Sequence, residues 1–376
     1  SGILTDLLSQ GIIPGIGGVI IFIPQIAFLF LFISILEESG YMSRVVFLMD
    51  KIMRRFGLSG KSVVPLISGT ACAIPAIMGT RNIENWKERL ITILVTPFTT
   101  CSARLPVYAI MISLVIPNKR VLGFLNLQGL SLMLLYLLGF VAAIISAYIL
   151  NKVLKLDSKT YFVVEMPSYK MPLFKNVGIN VVEKTKAFIV GAGKIILAIS
   201  VILWFLASFG PGKEFNDAET IVKERFANTT LDETQFENEV ASQKLENSYI
   251  GLMGRAIEPV ISPLGYDWKI GIALITSFAA REVFVGTMAT LYSVEESDNS
   301  SLRDKLKAAV RPDGTKVYSF AAALSLMIFY VLAMQCMSTL AVVKRETQSW
   351  KWPTIQFFMM TGLAYFMSWA VYVLAK

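Results

Sequence analysis

The sequence predicts an all-α, polytopic helical membrane protein. Three observations predict it. Hydrophobic residues make up 55% of the 376 positions and charged residues only 16%, against about 25% charged in soluble domains. Several apolar runs reach the roughly 20 residues that cross a bilayer. The Lys and Arg residues behind the net charge of +8 cluster in loops between those runs. Charge placed this way sets orientation in a membrane, and nucleic acid is not an expected partner.

Full spans are predicted at about 16–36, 90–116, 129–153, 187–209, 268–291, 318–343 and 354–375. The chain opens "SGILTDLL", which reads as a cut end, so an upstream span is expected to have been removed. The first span ends in "LEESGYMSR", where Glu37 and Glu38 form a polar helix end. Residues 62–80 are apolar but short, and Pro65 and Pro75 break them. Such a segment is a short discontinuous span or a re-entrant one, tolerated at membrane depth only inside protein or along a cavity. The "GKS" at Gly60–Ser62 resembles the end of a phosphate loop. The first glycine of that motif would fall on Arg55, and Pro65 interrupts the helix it should open. It is therefore a polar turn, and no N-K-x-D guanine-reading motif accompanies it.

Basic loops orient the chain. Residues 44–61, 152–186 and 303–316 are Lys/Arg-rich and read as cytoplasmic. The polar, acid-leaning stretch 210–250 reads as external. With 62–80 re-entrant, every crossing agrees and the C-terminus falls inside. The basic "VVKRETQSWKW" is then left outside, against the rule. The predicted organisation is a first membrane domain at 1–153, a basic cytoplasmic linker at 154–186, and a second membrane domain at 187–376 with an outward excursion over 210–265.

A weak repeat supports two domains. "LSGKSVVPLISGTACAIPAIMGT" and "YDWKIGIALITSFAAREVFVGT" align Lys61 with Lys269 and, after a one-residue slip, Gly79-Thr80 with Gly286-Thr287. Each is followed by a span with a central cysteine, Cys101 in "PFTTCSARLP" and Cys336 in "LAMQCMSTLA". Repeats of this kind place a transporter site at their interface. As oriented above, the re-entrant segments are inverted but the cysteine spans run the same way.

Candidate site residues are those costly at membrane depth or able to bind an ion. Arg281 and Glu282 sit mid-run, and Arg104 lies three residues after Cys101; charges there mark pathways or ion pairs. Cys72, Cys101 and Cys336 each sit beside small or polar residues. Any one of them reads as a small buried hydrophobe, but three in matching contexts point to soft-ligand chemistry. The chain has no histidine, so a transition-metal path must use sulfur, carboxylate, hydroxyl or backbone carbonyl. Met78 and Met337 lie beside these motifs. The odd cysteine count and apolar settings argue against a disulfide framework.

Five stretches in order, "FIPQIAFLFLFISILEESGYMSRVVFLMDKIM", "GLSGKSVVPLISGTACAIPAIMGTR", "ERLITILVTPFTTCSARLPVYA", "AAREVFVGTM" and "LAMQCMSTLA", resemble the membrane part of the FeoB ferrous iron transporter family. The resemblance runs from about Gly11 to the C-terminus. It implies two gate-type repeats with broken or re-entrant helices, the prokaryotic inner membrane, and Fe²⁺ as substrate. It also implies an N-terminal GTPase domain, with GTP and Mg²⁺ bound there and no cofactor in this chain. The metal ligands it implies are Cys72, Cys101, Cys336, Glu38 and Glu282, with Met78 and Met337 added from their position. "GTAC" around Cys72 departs from the family's frequent "GFGC". Expected partners are the bilayer, the GTPase domain, small cytoplasmic Feo proteins and further copies of the chain. Two other readings compete. One is a gate-fold carrier of nucleosides or of another divalent metal. The other is an intramembrane enzyme, for which no paired catalytic motif is present.

Overall fold

Long apolar runs become long helices. The computed structural model describes residues 3–121, 125–154, 169–211, 215, 217–225, 233–279, 281, 283–294, 299–311, 315–334 and 336–376. Among these, the helical stretches Trp86–Val115, Leu127–Val153, Phe174–Ser208, Phe320–Thr347 and Lys351–Ala375 are long and apolar enough to cross a membrane. A bent pair, Ile23–Glu38 with Tyr41–Phe56, adds a sixth. The two halves of that pair, α1 (Ile13–Glu38) and α2 (Tyr41–Met53), meet at 83°. Gly40 makes the corner possible with φ +79°, a conformation that other residues adopt at a cost.

Four helical segments are interrupted at mid-depth. Helices α3 (Val63–Ser68) and α4 (Ala73–Gly79) are separated by a turn ending at Cys72. Helices α5 (Trp86–Val95) and α6 (Leu105–Val115) are separated by two short 3-10 turns with Cys101 between them. The unbroken α7 (Leu127–Val153), α8 (Phe174–Phe188) and α9 (Lys194–Ser208) follow. The external stretch contains α10 (Ala218–Arg225) and α11 (Glu233–Glu246). Helix α12 (Tyr249–Ile261) then packs onto α13 (Trp268–Ala279). Gly254 permits this approach, since a Cβ there would lie 2.5 Å from Ile272. Arg281 lies in the break between α13 and α14 (Val283–Leu291). After α15 (Asn299–Ala308), α16 (Phe320–Leu332) and α17 (Met337–Thr347) flank the break at Cys336, and α18 (Lys351–Ala375) closes the chain.

Side-chain contacts sort the loops onto two faces. On the first, Lys61 pairs with Glu84 at 3.0 Å, so α3 and α4 leave and return to one side and 62–80 is re-entrant. Gly57 abuts Asn151 at the end of α7, and Glu346 at the end of α17 pairs with Arg81 and Arg89. On the second face, Lys269 at the start of α13 reaches the Leu291 carbonyl at the end of α14, 3.2 Å away, and pairs with Glu246. Arg311 donates to the Gly265 carbonyl at 2.6 Å, and Gly265 abuts Tyr372 near the end of α18.

Two expectations are corrected by this arrangement. Residues 268–291 are a re-entrant pair and not a span. Helix α13 has 12 residues, about 18 Å of rise, too short for a core of about 30 Å. All later crossings therefore reverse. The loops 303–316 and 44–61 lie on opposite faces, the C-terminus lies with 303–316, and 344–352 joins the first face. That face then gathers Lys61, Arg81, Arg89, Lys152, Lys344 and Arg345, and the positive-inside rule makes it cytoplasmic; 344–352 then obeys the rule and the basic 303–316 loop becomes its exception. The cysteine spans now run in opposite directions, so the whole repeat is inverted.

This topology is testable by labelling. Lys351→Cys should react with an impermeant maleimide only from the cytoplasmic side, and Lys307→Cys only from the external side. The reverse pattern, Lys351→Cys labelled from outside and Lys307→Cys from the cytoplasm, would restore the orientation expected from hydropathy. Large apolar side chains on α1 and α7, such as Phe28, Phe32, Leu134 and Ile145, remain exposed on the outside of the bundle, as a lipid-facing surface requires.

Candidate functional site

Four of the helices that begin at a membrane face carry side-chain caps. Asn85, Asn126, Ser248 and Ser319 each accept a backbone N–H of the first turn they precede. The half-helices that begin at mid-depth do not. Cys72, Cys101 and Cys336 occupy the N-cap positions there, all with extended backbone and none with a side-chain cap bond. The positive ends of these helix dipoles are thus aimed at the centre.

The four breaks meet. A Cβ on Gly69 would lie 2.3 Å from Thr99 Oγ1, so glycine is what lets the first and second breaks touch. Ser102 Oγ donates to the Ala71 carbonyl at 3.1 Å and accepts from Gln25 Nε2 of α1 at 2.8 Å. Arg281 Nη1 donates to Cys101 Sγ at 3.2 Å. Cys72 and Cys336 begin α4 and α17, which pack side by side. Arg104, 0% exposed, donates to the Val331 carbonyl at 2.8 Å and the Pro97 carbonyl at 3.1 Å. It thereby ties the second break to the end of α16. Tyr330 donates to Ser277 Oγ at 3.0 Å, joining α16 to α13.

The remaining expected ligands scatter. Glu38 ends α1 and accepts from Asn176 of α8 at 3.3 Å. Met78 is buried in an apolar cluster with Ile26, Ile93 and Val342. Met337 is 41% exposed. Glu282 lies outside the described residues. Among the described residues no three Cys, Asp or Glu side chains converge tightly enough to hold a metal ion together. The centre therefore offers sulfur, hydroxyl and carbonyl groups in succession, beside the two buried guanidinium groups of Arg104 and Arg281. A cation enters such a place only where thiolate offsets that positive charge, and the thiolate is the ligating form of cysteine.

Sequence reasoning missed a second cluster. Arg81 binds Glu346 through two hydrogen bonds, 2.8 Å and 2.6 Å, and Arg89 adds a third at 3.0 Å. The carboxylate side chain is 3% exposed and holds the Arg81 guanidinium above its ordinary range through these bonds. Gln356 is fully buried and donates to the Ile93 and Leu94 carbonyls. The available signal for Glu346 was a lone acid among basic residues in "VVKRETQSWKW".

Two inverted re-entrant hairpins, each followed by a broken span, are the architecture that comparison with known families tests. The Gate family, described as "Nucleoside recognition", matches residues 19–115 and 189–350. The chain belongs to the Gate family. Its Gate segments cover both hairpins and both broken spans. Residues 132–184 between them match the family described as "Ferrous iron transport protein B C terminus". This Gate protein is 48% identical over 377 residues to the Fe(2+) transporter FeoB of Leptospira biflexa, covering 100% of the chain and 51% of the relative. It is 38% identical over 354 residues to the Fe(2+) transporter FeoB of Staphylococcus aureus strain COL, covering 94% of the chain and 46% of the relative. It is also 37% identical over 382 residues to an Fe(2+) transport protein A/Fe(2+) transporter FeoB fusion protein of Porphyromonas gingivalis, covering 99% and 44%. The chain spans about half the length of the curated relatives it matches. No solved structure matches it.

Proposed function

We propose that the chain is the membrane-embedded part of a ferrous iron transporter of the prokaryotic inner membrane. The observation that carries this reading is the placement of Cys72, Cys101 and Cys336. All three cap half-helices at mid-depth, where the breaks of two inverted repeats meet. The names of its relatives support Fe²⁺ as the substrate. The ion passes between the repeats and exchanges one weak sulfur or oxygen ligand for the next, because a conducted ion must also leave. Arg281 holds Cys101 in place and neutralises it when the ion is absent. Glu38 stands at the cytoplasmic end of α1, and Glu282 follows Arg281 in the sequence; both are further proposed ligands, with Met78 and Met337 at the margins.

The fusion of transport protein A to a FeoB relative supports small Feo proteins as cytoplasmic partners. GTP and Mg²⁺ belong to a GTPase domain elsewhere in the full-length protein, which biases the gates without touching the ion. The family description keeps nucleosides as the second reading. Vesicles containing the chain decide between the two. Saturable, chelator-sensitive Fe²⁺ uptake under reducing conditions, with no nucleoside uptake, is the expected result. Nucleoside uptake, or no saturable Fe²⁺ uptake, would overturn the reading.

A further inference from the structure

The half-helices α4 and α17 are the inward halves of two different repeats. Each begins at a cysteine, Cys72 or Cys336. They pack side by side toward the cytoplasmic face. Nine residues separate Cys72 from Arg81 and ten separate Cys336 from Glu346, roughly 13 and 15 Å of helix. Along that length they share one apolar cluster, with Ile74, Ile77 and Met78 facing Val342 and Val343. Immediately past this plug, Arg81 and Glu346 join the two half-helices through paired hydrogen bonds.

We propose that this pair is the latch of a cytoplasmic gate, closed in the conformation seen here. It rests on the reading that the path runs between the two repeats. The latch combines a fixed and a releasable partner. Glu346 is buried and keeps Arg89 when Arg81 leaves, so its charge is never stranded. Arg81 is 52% exposed, so its guanidinium moves into water at little cost. Opening removes Arg81, parts α4 from α17, and lowers the positive charge around Glu346 at the mouth through which a cation departs. While the latch is shut, Arg81, Arg89 and Arg345 surround one carboxylate, and the surplus positive charge repels a departing cation.

The fold itself does not demand an ion pair here. Under the repeat alignment, the external counterpart of Arg81 is Met288 and that of Glu346 is Met111. Both are buried in the main core, on α14 and α6, which also pack together. The outer closure is therefore apolar where the inner one is ionic, and the Arg81–Glu346 pair adds a releasable bond on one side only.

Alkylation of the native Cys72 and Cys336 by a charged, impermeant maleimide tests the latch. Label is assigned by peptide mapping, in membrane vesicles of both orientations. Arg81→Gln should raise the cytoplasmic-side rate by about tenfold, the factor equivalent to about 1.4 kcal/mol, and leave the external-side rate unchanged. Glu346→Gln should do the same. General loosening of the fold would raise both rates together. An unchanged cytoplasmic rate in Arg81→Gln, or an equal rise from both sides, overturns the proposal. The measurement contains no iron, so its failure is distinct from failure of the transport reading.

Discussion

Serine at Cys101 or at Cys336 is expected to cut Fe²⁺ uptake by about tenfold or more, since disturbing even the outer shell of a metal site typically costs 10–100-fold. Serine keeps the size of the side chain and removes the soft ligand. At Cys101 it also exchanges the sulfur that accepts from Arg281 for a hydroxyl that stays neutral. Expression and folding should change little, because neither residue makes a side-chain cap bond and a serine hydroxyl at 101 can still accept from Arg281. Leucine should be more severe than alanine, since it fills the junction of the breaks as well as removing sulfur. Uptake of radioactive iron into vesicles, normalised to protein recovered from a gel-filtration peak, separates these outcomes. Parental rates in both serine variants would assign the cysteines to packing. Glu38 and Glu282 would then become the leading ligands.

Much of this centre was legible in the sequence for a simple physical reason. Charged residues and prolines in apolar runs are rare because they are expensive, so Pro65 and Pro75 mark the first break, and Arg104 and Arg281 mark a pathway or an ion pair within runs that read as full spans. The repeat pointed to Cys101 and Cys336 as central residues of two spans, and the breaks at both are visible only in the structure. What hydropathy could not reveal was direction. An apolar run of 24 residues has the same composition whether it crosses the membrane once or folds back halfway, and 268–291 was read as a span for that reason. One error then reversed every later crossing and hid the inversion of the repeat. Lys269 carried the missing information. It aligns with Lys61, and both lysines tie the start of a hairpin to its end, through Glu84 in one case and the Leu291 carbonyl in the other.

Glu346 and Gln356 were illegible for a different reason. Their meaning lies entirely in partners more than 250 residues away, Arg81 and Arg89 for one and the Ile93 and Leu94 carbonyls for the other. In the linear sequence one is an acid in a basic loop and the other a polar residue on a span. Neither local pattern names a partner. The inverted topology brings the ends of α4, α5 and α17 to one face, and the ion pair follows from that.

Arg104→Leu is expected to destabilise the protein by about 2–6 kcal/mol, from two orphaned carbonyls at about 1–3 kcal/mol each. The guanidinium serves as a shared C-terminal cap. Val331 lies in the last turn of α16, and Pro97 in the turn that ends α5. Carbonyls at helix ends lack intrahelical partners, and at mid-depth no bulk water replaces them. The two helix ends also carry negative partial charge, which offsets the cost of burying the cation. Leucine restores the volume but satisfies neither carbonyl. Lysine keeps the charge but has no planar fork to bridge two acceptors, so it should fall between leucine and the parent. Arg54→Leu is the control. Arg54 is exposed and pairs with Asp50 one helical turn away, an interaction worth less than about 1 kcal/mol. Thermal melts of detergent-solubilised protein, followed by gel filtration, should rank Arg104→Leu lowest, Arg104→Lys next and Arg54→Leu beside the parent. A melting temperature for Arg104→Leu equal to or above the parent's would mean that desolvating the guanidinium costs more than its two bonds return. Arg104 would then be kept for the path it borders and not for the fold.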